Sequence, residues 1–253
     1  MKAQIVLTSS ESKRLIAKAV SQIDSVKNAL KKGIIIICRG GTNAFIAEEL
    51  TGQQIDKGRF TAGYIGPKGL SVNPKIPKEI ILVDGKLKDN SALSEVMKDL
   101  RTGDVIIKGA NAIGPDGIPA VLLGRGQPNA NGGTLGIFEV ASMARGVEVI
   151  VPVGLEKLIP CSVLLGSREI SSSKIDYAIG VPCGLVPIFG TVVTEIEAIE
   201  ALTGAEAIPI AAGGIGGAEG SIVLLITGEE AKVKHVIKII ESIKGELPVL
   251  EPT

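Results

Sequence analysis

The sequence predicts an α/β fold: a mostly parallel sheet with helices on both faces over residues 1–175, then a small α+β unit over residues 176–253. Three observations predict it. Short apolar runs, too brief for helices, alternate with segments of helical period. Several runs are apolar at every position, as in strands covered on both faces. The 32 glycines among 253 residues are not periodic and gather where such runs give way to helices.

Ala3 to Thr8 reads as a short strand. Ser9 or Ser10 caps the next helix, because a hydroxyl satisfies free backbone donors at a helix start. Leu15, Ile16, Ala19, Val20, Ile23, Val26 and Leu30 recur at helical spacing, so this helix runs to about Lys32 and stops at Gly33. Ile34 to Cys38 is a buried parallel strand. Arg39 to Asn43 is a turn into a helix over Ala44 to Leu50, ended by Gly52. Residues 53–78 look irregular. Glu79 to Val83 is a strand, Ala92 to Leu100 a helix and Asp104 to Lys108 a strand. Residues 114–133 form a long glycine-rich loop with a short strand at Ala120 to Leu123. Gly136 to Arg145 is a helix and Val147 to Val153 a strand.

After about residue 175 the pattern changes. Strand Ile175 to Ile179, helix Glu195 to Leu202 capped by Thr194, strands Ala207 to Ala211 and Ser221 to Thr227, helix Glu229 to Ile243 and strand Leu247 to Leu250 follow in turn. The order β-α-β-β-α-β is that of a ferredoxin-like unit.

Charge and composition narrow the function. The 27 basic and 27 acidic residues cancel, so no basic field points to nucleic acid or a membrane surface. Four Phe, two Tyr and no Trp leave little for base stacking. Cys38, Cys161 and Cys183 lack metal spacing and read as small hydrophobes in a reducing compartment. His235 is the single histidine and sits in a periodic helix, so no metal is expected. No cofactor is called for. The start lacks the pattern of a signal peptide, and no apolar run approaches the roughly 20 residues of a membrane span, so a cytoplasmic location is expected.

Three turns carry the candidate chemistry. Arg39-Gly40-Gly41-Thr42-Asn43 joins a buried strand to a helix. Its glycines let a ligand approach the backbone, Thr42 and Asn43 offer side-chain donors, and the helix start adds free N–H groups. Lys108-Gly109-Ala110-Asn111, with Asp116 close behind, ends a parallel strand, where open α/β sheets hold ligands. Arg125 to Thr134, containing Gly132-Gly133-Thr134, is a second anion cradle leading into a helix. Each also reads as an ordinary turn. The loop GGIGGAEG at 213–220 is a hairpin turn or a cleft wall.

Residues 101–160, with DVIIKGANAIGPDGIPAVLLG and GGTLGIFEVASMARGVEVIVPVGLEKLIP, resemble a superfamily. It includes ribose-5-phosphate isomerase A, glucosamine-6-phosphate deaminase, the initiation factor 2B subunits, coenzyme A transferases and the sugar-sensing domains of bacterial repressors. Gly109-Ala110-Asn111, Gly132-Gly133-Thr134 and Lys157 carry the resemblance, and Gly40-Gly41-Thr42 resembles its first phosphate turn. It implies a ribose-phosphate-isomerase-like fold, a phosphorylated ligand, and ligand contacts from these residues and Arg125. The trailing unit resembles the isomerase's small domain. Where those isomerases have a carboxylate after Gly-Ala, this chain has Asn111, and an amide is no general base near neutral pH. The loop carries Arg125 in place of the isomerase lysine.

Two functions stay open: an enzyme isomerising a sugar phosphate or related anion or transferring a group, and a metabolite-binding or regulatory protein that lost the base. The enzyme needs a cleft carboxylate from Asp84, Asp116 or Glu139, with Lys108 beside it. The oligomeric state is open, a homo-oligomer included.

Overall fold

The computed structural model describes residues 1–88, 93–124 and 134–252. Strand β1 (Lys2–Leu7) leads into α1 (Ser9–Gln22) and α2 (Asp24–Lys31), then β2 (Ile34–Ile37) and α3 (Gly41–Thr51). A hairpin of β3 (Gly63–Gly66) and β4 (Gly69–Val72) precedes β5 (Ile80–Val83), β6 (Lys86–Leu87) and α4 (Leu93–Asp99). Then come β7 (Val105–Ile107), β8 (Ala112–Ile113), β9 (Pro119–Gly124), α5 (Thr134–Arg145), β10 (Glu148–Pro152) and α6 (Val163–Glu169). The chain continues through β11 (Cys183–Pro187), β12 (Thr191–Val193), α7 (Glu195–Thr203), β13 (Glu206–Gly213), β14 (Ser221–Thr227) and α8 (Glu230–Ile243). Among the described residues no helix is long and apolar enough to cross a membrane.

The central sheet runs β12-β10-β7-β2-β5-β6. The first four strands are mutually parallel, while β5 pairs antiparallel with β2, and β6 with β5. Its continuous apolar runs have the expected cause. Ile35 and Ile37 join Val105, Ile107 and Ile150 in a core shared with α1, α2, α3 and α7. Ile36 and Cys38 join Ile106, Val149 and Val151 in a second core with α4 and α5. Alternate residues of each strand thus enter opposite layers.

The expected first helix is two helices. Ile23 is extended (φ −62°, ψ 134°), so the axis breaks there and Val26 and Ala29 turn in beneath the sheet. Thr8, rather than Ser9 or Ser10, is the N-cap: its hydroxyl accepts from the Glu11 N–H, and Glu11 Oε2 accepts from the Thr8 N–H at 2.9 Å. Residues 53–78 contain the β3–β4 hairpin.

The strand pairing crosses the boundary expected at residue 175. β12 extends the central sheet, and β11 pairs with β9. The ferredoxin-like order is not formed: 175–179 and 247–250 are not strands. Instead β14 pairs antiparallel with both β13 and β1, so the N-terminal strand completes a three-stranded sheet, β1-β14-β13. β1 is apolar where it meets α8, with Ile5 and Leu7 in one core with Val236 and Ile240, and it takes the edge of β14 that β13 leaves open.

Candidate functional site

Parallel strands end together. The carboxyl ends of β2, β7, β10 and β12 lie along one edge of the central sheet, each followed by polar residues. From β2 the chain first builds β5 and β6 on one side and then β7, β10 and β12 on the other, so a crevice opens beyond β2 and β7. There a cleft of about 1140 Å³ is lined by Lys13, Arg39–Asn43, Lys108–Asn111, Glu156 and Lys157. The β3–β4 hairpin, Val121–Gly124 of β9 and Val249–Pro252 supply further walls.

One wall is the start of α3. Among the described residues this helix has no side-chain cap, so the donors of its first turn lack the acceptor that a capping residue would supply. A Cβ at Gly41 would meet only Lys13 Cε, at 4.0 Å, so the backbone there faces open space. Thr42 is 2 % exposed, and its hydroxyl has no hydrogen-bond partner among the described residues. Asn43 was expected to donate toward a ligand. Instead its Nδ2 donates to Cys38 O at 2.8 Å and Ile107 O at 3.1 Å, bracing the ends of β2 and β7. Its Oδ1 is buried with no partner among the described residues. Arg39 is partly committed: Nη2 lies 2.7 Å from Glu79 Oε1, and Nη1 reaches Pro77 O at 3.4 Å.

The floor is charged. Lys13 comes from α1 and Glu156 from the short 3-10 turn after β10; their Nζ–Oε1 distance is 2.8 Å, with each side chain 11 % exposed. Lys13 Nζ also donates to Ser9 O at 3.1 Å and to the Ser9 hydroxyl. Gly154 makes room, because a methyl there would overlap Glu156 Oε2. Lys157 Nζ donates to Ala110 O at 2.8 Å, so it sits under the end of β7. Behind lies Glu195, at the start of α7 and fully buried, with Oε2 accepting from the Leu155 N–H at 2.9 Å and Ser12 alongside.

These groups perturb one another. Burial pushes the Glu195 carboxyl up to about 7, and the neighbouring Glu156 charge adds to that. Burial acts the same way on Glu156, but Lys13 and Lys157 outweigh it and its pKa is lowered. Lys157 is lowered chiefly by burial, with Lys13 adding repulsion and Glu156 opposing. It lines the cleft and keeps some open surface, yet protein surrounds its ammonium. Burial pushes the Cys38 thiol up to about 12, which makes it a poor nucleophile.

The sequence candidates divide. Arg39, Gly40, Gly41, Thr42, Asn43, Lys108, Gly109, Asn111 and Lys157 line the one cleft. Asn111 is structurally occupied, with its N–H donating to Ala120 O at 2.7 Å and its Oδ1 accepting from the Leu122 N–H at 3.0 Å. The three candidate carboxylates lie elsewhere. Asp116 is exposed in the β8–β9 turn, accepting from the Ile118 N–H and the Ser162 hydroxyl. Glu139 is exposed on α5, and Asp84 forms a turn that accepts from the Gly33 N–H. Arg125, Gly132 and Gly133 lie outside the described residues; Thr134 opens α5, and its neighbour Leu135 lines the cleft. Loop 213–220 joins β13 to β14, with Gly220 behind Glu156, and His235 is exposed on α8.

Lys13, Glu156 and Glu195 were not anticipated. The available signal was a charged residue just past an apolar run, as in Val153-Gly154-Leu155-Glu156 and Val193-Thr194-Glu195. Among the described residues no group of His, Cys, Asp or Glu is placed to hold a metal ion. No protein-family model matches this chain, and no curated protein matches it.

Proposed function

We propose that this cleft binds a small phosphorylated metabolite and that the chain acts on it, by isomerisation or group transfer. The carrying observation is the Thr42 hydroxyl, buried and without a partner among the described residues, at the uncapped start of α3. A helix start directs donors and a positive dipole end at an anion. Lys13, Lys108 and Lys157 face the same space. The carboxylate that the reaction needs comes from Glu156 in place of Asp116 or Glu139. The resemblance of the strand-end turns to the sugar-phosphate isomerase superfamily supports the same ligand class. Binding without turnover is the second reading, favoured by the commitment of Asn111 to β9.

Calorimetric titration with inorganic phosphate and a set of sugar phosphates tests the binding. Thr42→Val keeps the shape and removes the hydroxyl. A hydrogen bond to a charged group contributes about 1.5–3 kcal/mol, so affinity should fall roughly 10- to 150-fold. Absence of binding by the unaltered protein at millimolar anion sinks the proposal. Product formation from the tightest binder, followed by NMR, separates turnover from binding alone.

A further inference from the structure

We propose that Lys157 is an amine nucleophile that condenses with the carbonyl group of the bound metabolite, so that the substrate class is a phosphorylated aldehyde or ketone. This rests on the anion-binding reading of the cleft and names what the rest of the substrate must carry.

Three cationic side chains other than Arg39 line the cleft, and they are not equivalent. Lys13 is bound by Ser9 and by the Glu156 carboxylate. Lys108 follows β7, its backbone N–H donates to Ile150 O, and it lines the cleft as a further positive charge. Lys157 is held from below by Ala110 O at 2.8 Å. One acceptor fixes the nitrogen and uses one N–H. A neutral amine in that position keeps its lone pair for the cleft.

The surroundings favour the neutral amine. Protein packs around Nζ, and the Lys13 ammonium is close enough to repel a second positive charge. Desolvation beside another cation is how amines become reactive near neutral pH. The Glu156 charge opposes this, but its Oε1 is taken by Lys13. The start of α3 and Lys157 line the same cleft, so the proposal seats the anion of one small molecule at Thr42 and its carbonyl at Lys157.

The step balances without a further reagent. The Lys157 nitrogen forms a bond to the carbonyl carbon, the carbon–oxygen double bond breaks, and the oxygen leaves as water with the two amine protons. The imine that remains draws electrons from the neighbouring carbon and acidifies its C–H bond. Glu156 is the carboxylate on that floor, and its Oε2 has no partner among the described residues. Proton shift between carbons, or cleavage of the adjacent carbon–carbon bond, both follow from such an imine.

Reductive trapping decides it. The full-length protein is incubated with glyceraldehyde 3-phosphate or with glyceraldehyde, each with cyanoborohydride, and the adducts are located by peptide mass mapping. Lys157 should be modified by the phosphorylated probe roughly tenfold or more faster than the exposed Lys238, since an anion held in the cleft keeps the probe's carbonyl beside this amine. Inorganic phosphate should slow it, and Lys157→Arg should abolish the adduct. Phosphate binding with Lys157 modified no faster than Lys238 overturns the nucleophile and leaves the anion site standing. Fast modification of Lys157 by both probes alike, unaffected by phosphate, supports the nucleophile and overturns the anion site. Mapping on the unaltered protein decides the matter even where the variant fails to fold.

Discussion

Replacing Glu195 by Gln removes a buried carboxyl that the fold holds against its own ionisation. In the unfolded chain this group titrates near 4.5; in the folded protein burial and the Glu156 charge move it to about 7. Between those values the folded chain carries a proton that the unfolded chain has lost. Stability therefore falls as pH rises through the window and levels off above it. At about 1.4 kcal/mol per pH unit the full loss is roughly 3 kcal/mol. Glu156, lowered from 4.5, contributes the opposite slope, confined to the acid end of the window. Gln keeps an oxygen for the Leu155 N–H, which Glu195 Oε2 binds at 2.9 Å. Urea unfolding at about pH 5 and about pH 8.5 reads the difference. Glu195→Gln should match the unaltered protein at the lower pH and exceed it by about 2–3 kcal/mol at the higher. Two proteins whose stabilities follow the same pH course would refute the argument, and so would a variant weaker at the higher pH.

Other perturbations follow from the same contacts. Arg14 bonds Glu48, Glu49 and Glu246 and lies 4.9 Å from the centre of the Phe45 ring; Arg14→Met leaves these carboxylates, among the described residues, only Lys57 and Lys18 as cationic partners and should lower stability in urea by about 1.5–3 kcal/mol. Asn43→Asp sets a carboxylate against the carbonyls of Cys38 and Ile107 in a fully buried place, and should cost about 3 kcal/mol or more by the same measurement. Alkylation of the native protein should reach the exposed Cys161 quickly and spare Cys38, which becomes reactive only in denaturant.

Local information carried the centre of the molecule into the sequence. Ile34 to Cys38 and Val147 to Val153 declared themselves because each is covered on both faces, so every position but Glu148 is apolar. The turn after β2 was legible for the same reason: Gly40-Gly41 interrupts an otherwise uniform pattern. What escaped depends on distance. β1 pairs with β14 across nearly the whole chain, and β12 joins a sheet built long before it; neither partner is written in its own neighbourhood. The β-α-β-β-α-β reading failed because its outer strands, 175–179 and 247–250, do not form, and β1 takes the second edge of β14. The break at Ile23 falls inside an unbroken helical period, so nothing in the spacing marks it. Within the site, Thr42 and Lys108 were recoverable from strand ends and Lys157 only from the resemblance, whereas Lys13 arrives from a helix that only the tertiary fold swings beneath them. Asp116 misled through its nearness in sequence to Asn111, since the β8–β9 turn carries it away from the cleft.

The pairing of β1 with β14 also orders events in time. Lys2 faces Thr227 and Leu7 faces Ile222. On a ribosome, which emits the amino end first, the strand carrying Ile5 and Leu7 has no partner until residues 221–227 emerge. Closing so long a loop is entropically late, so this sheet should be among the slow steps of folding. Helix α1 follows β1 directly but packs on α3 and the central sheet, so Lys13 can reach Glu156 while β1 still waits for its partner. A chain cut short before β14 would carry most of the cleft yet leave β1 without its strand partner. Protease sensitivity near residues 1–8 should then persist until synthesis is nearly finished.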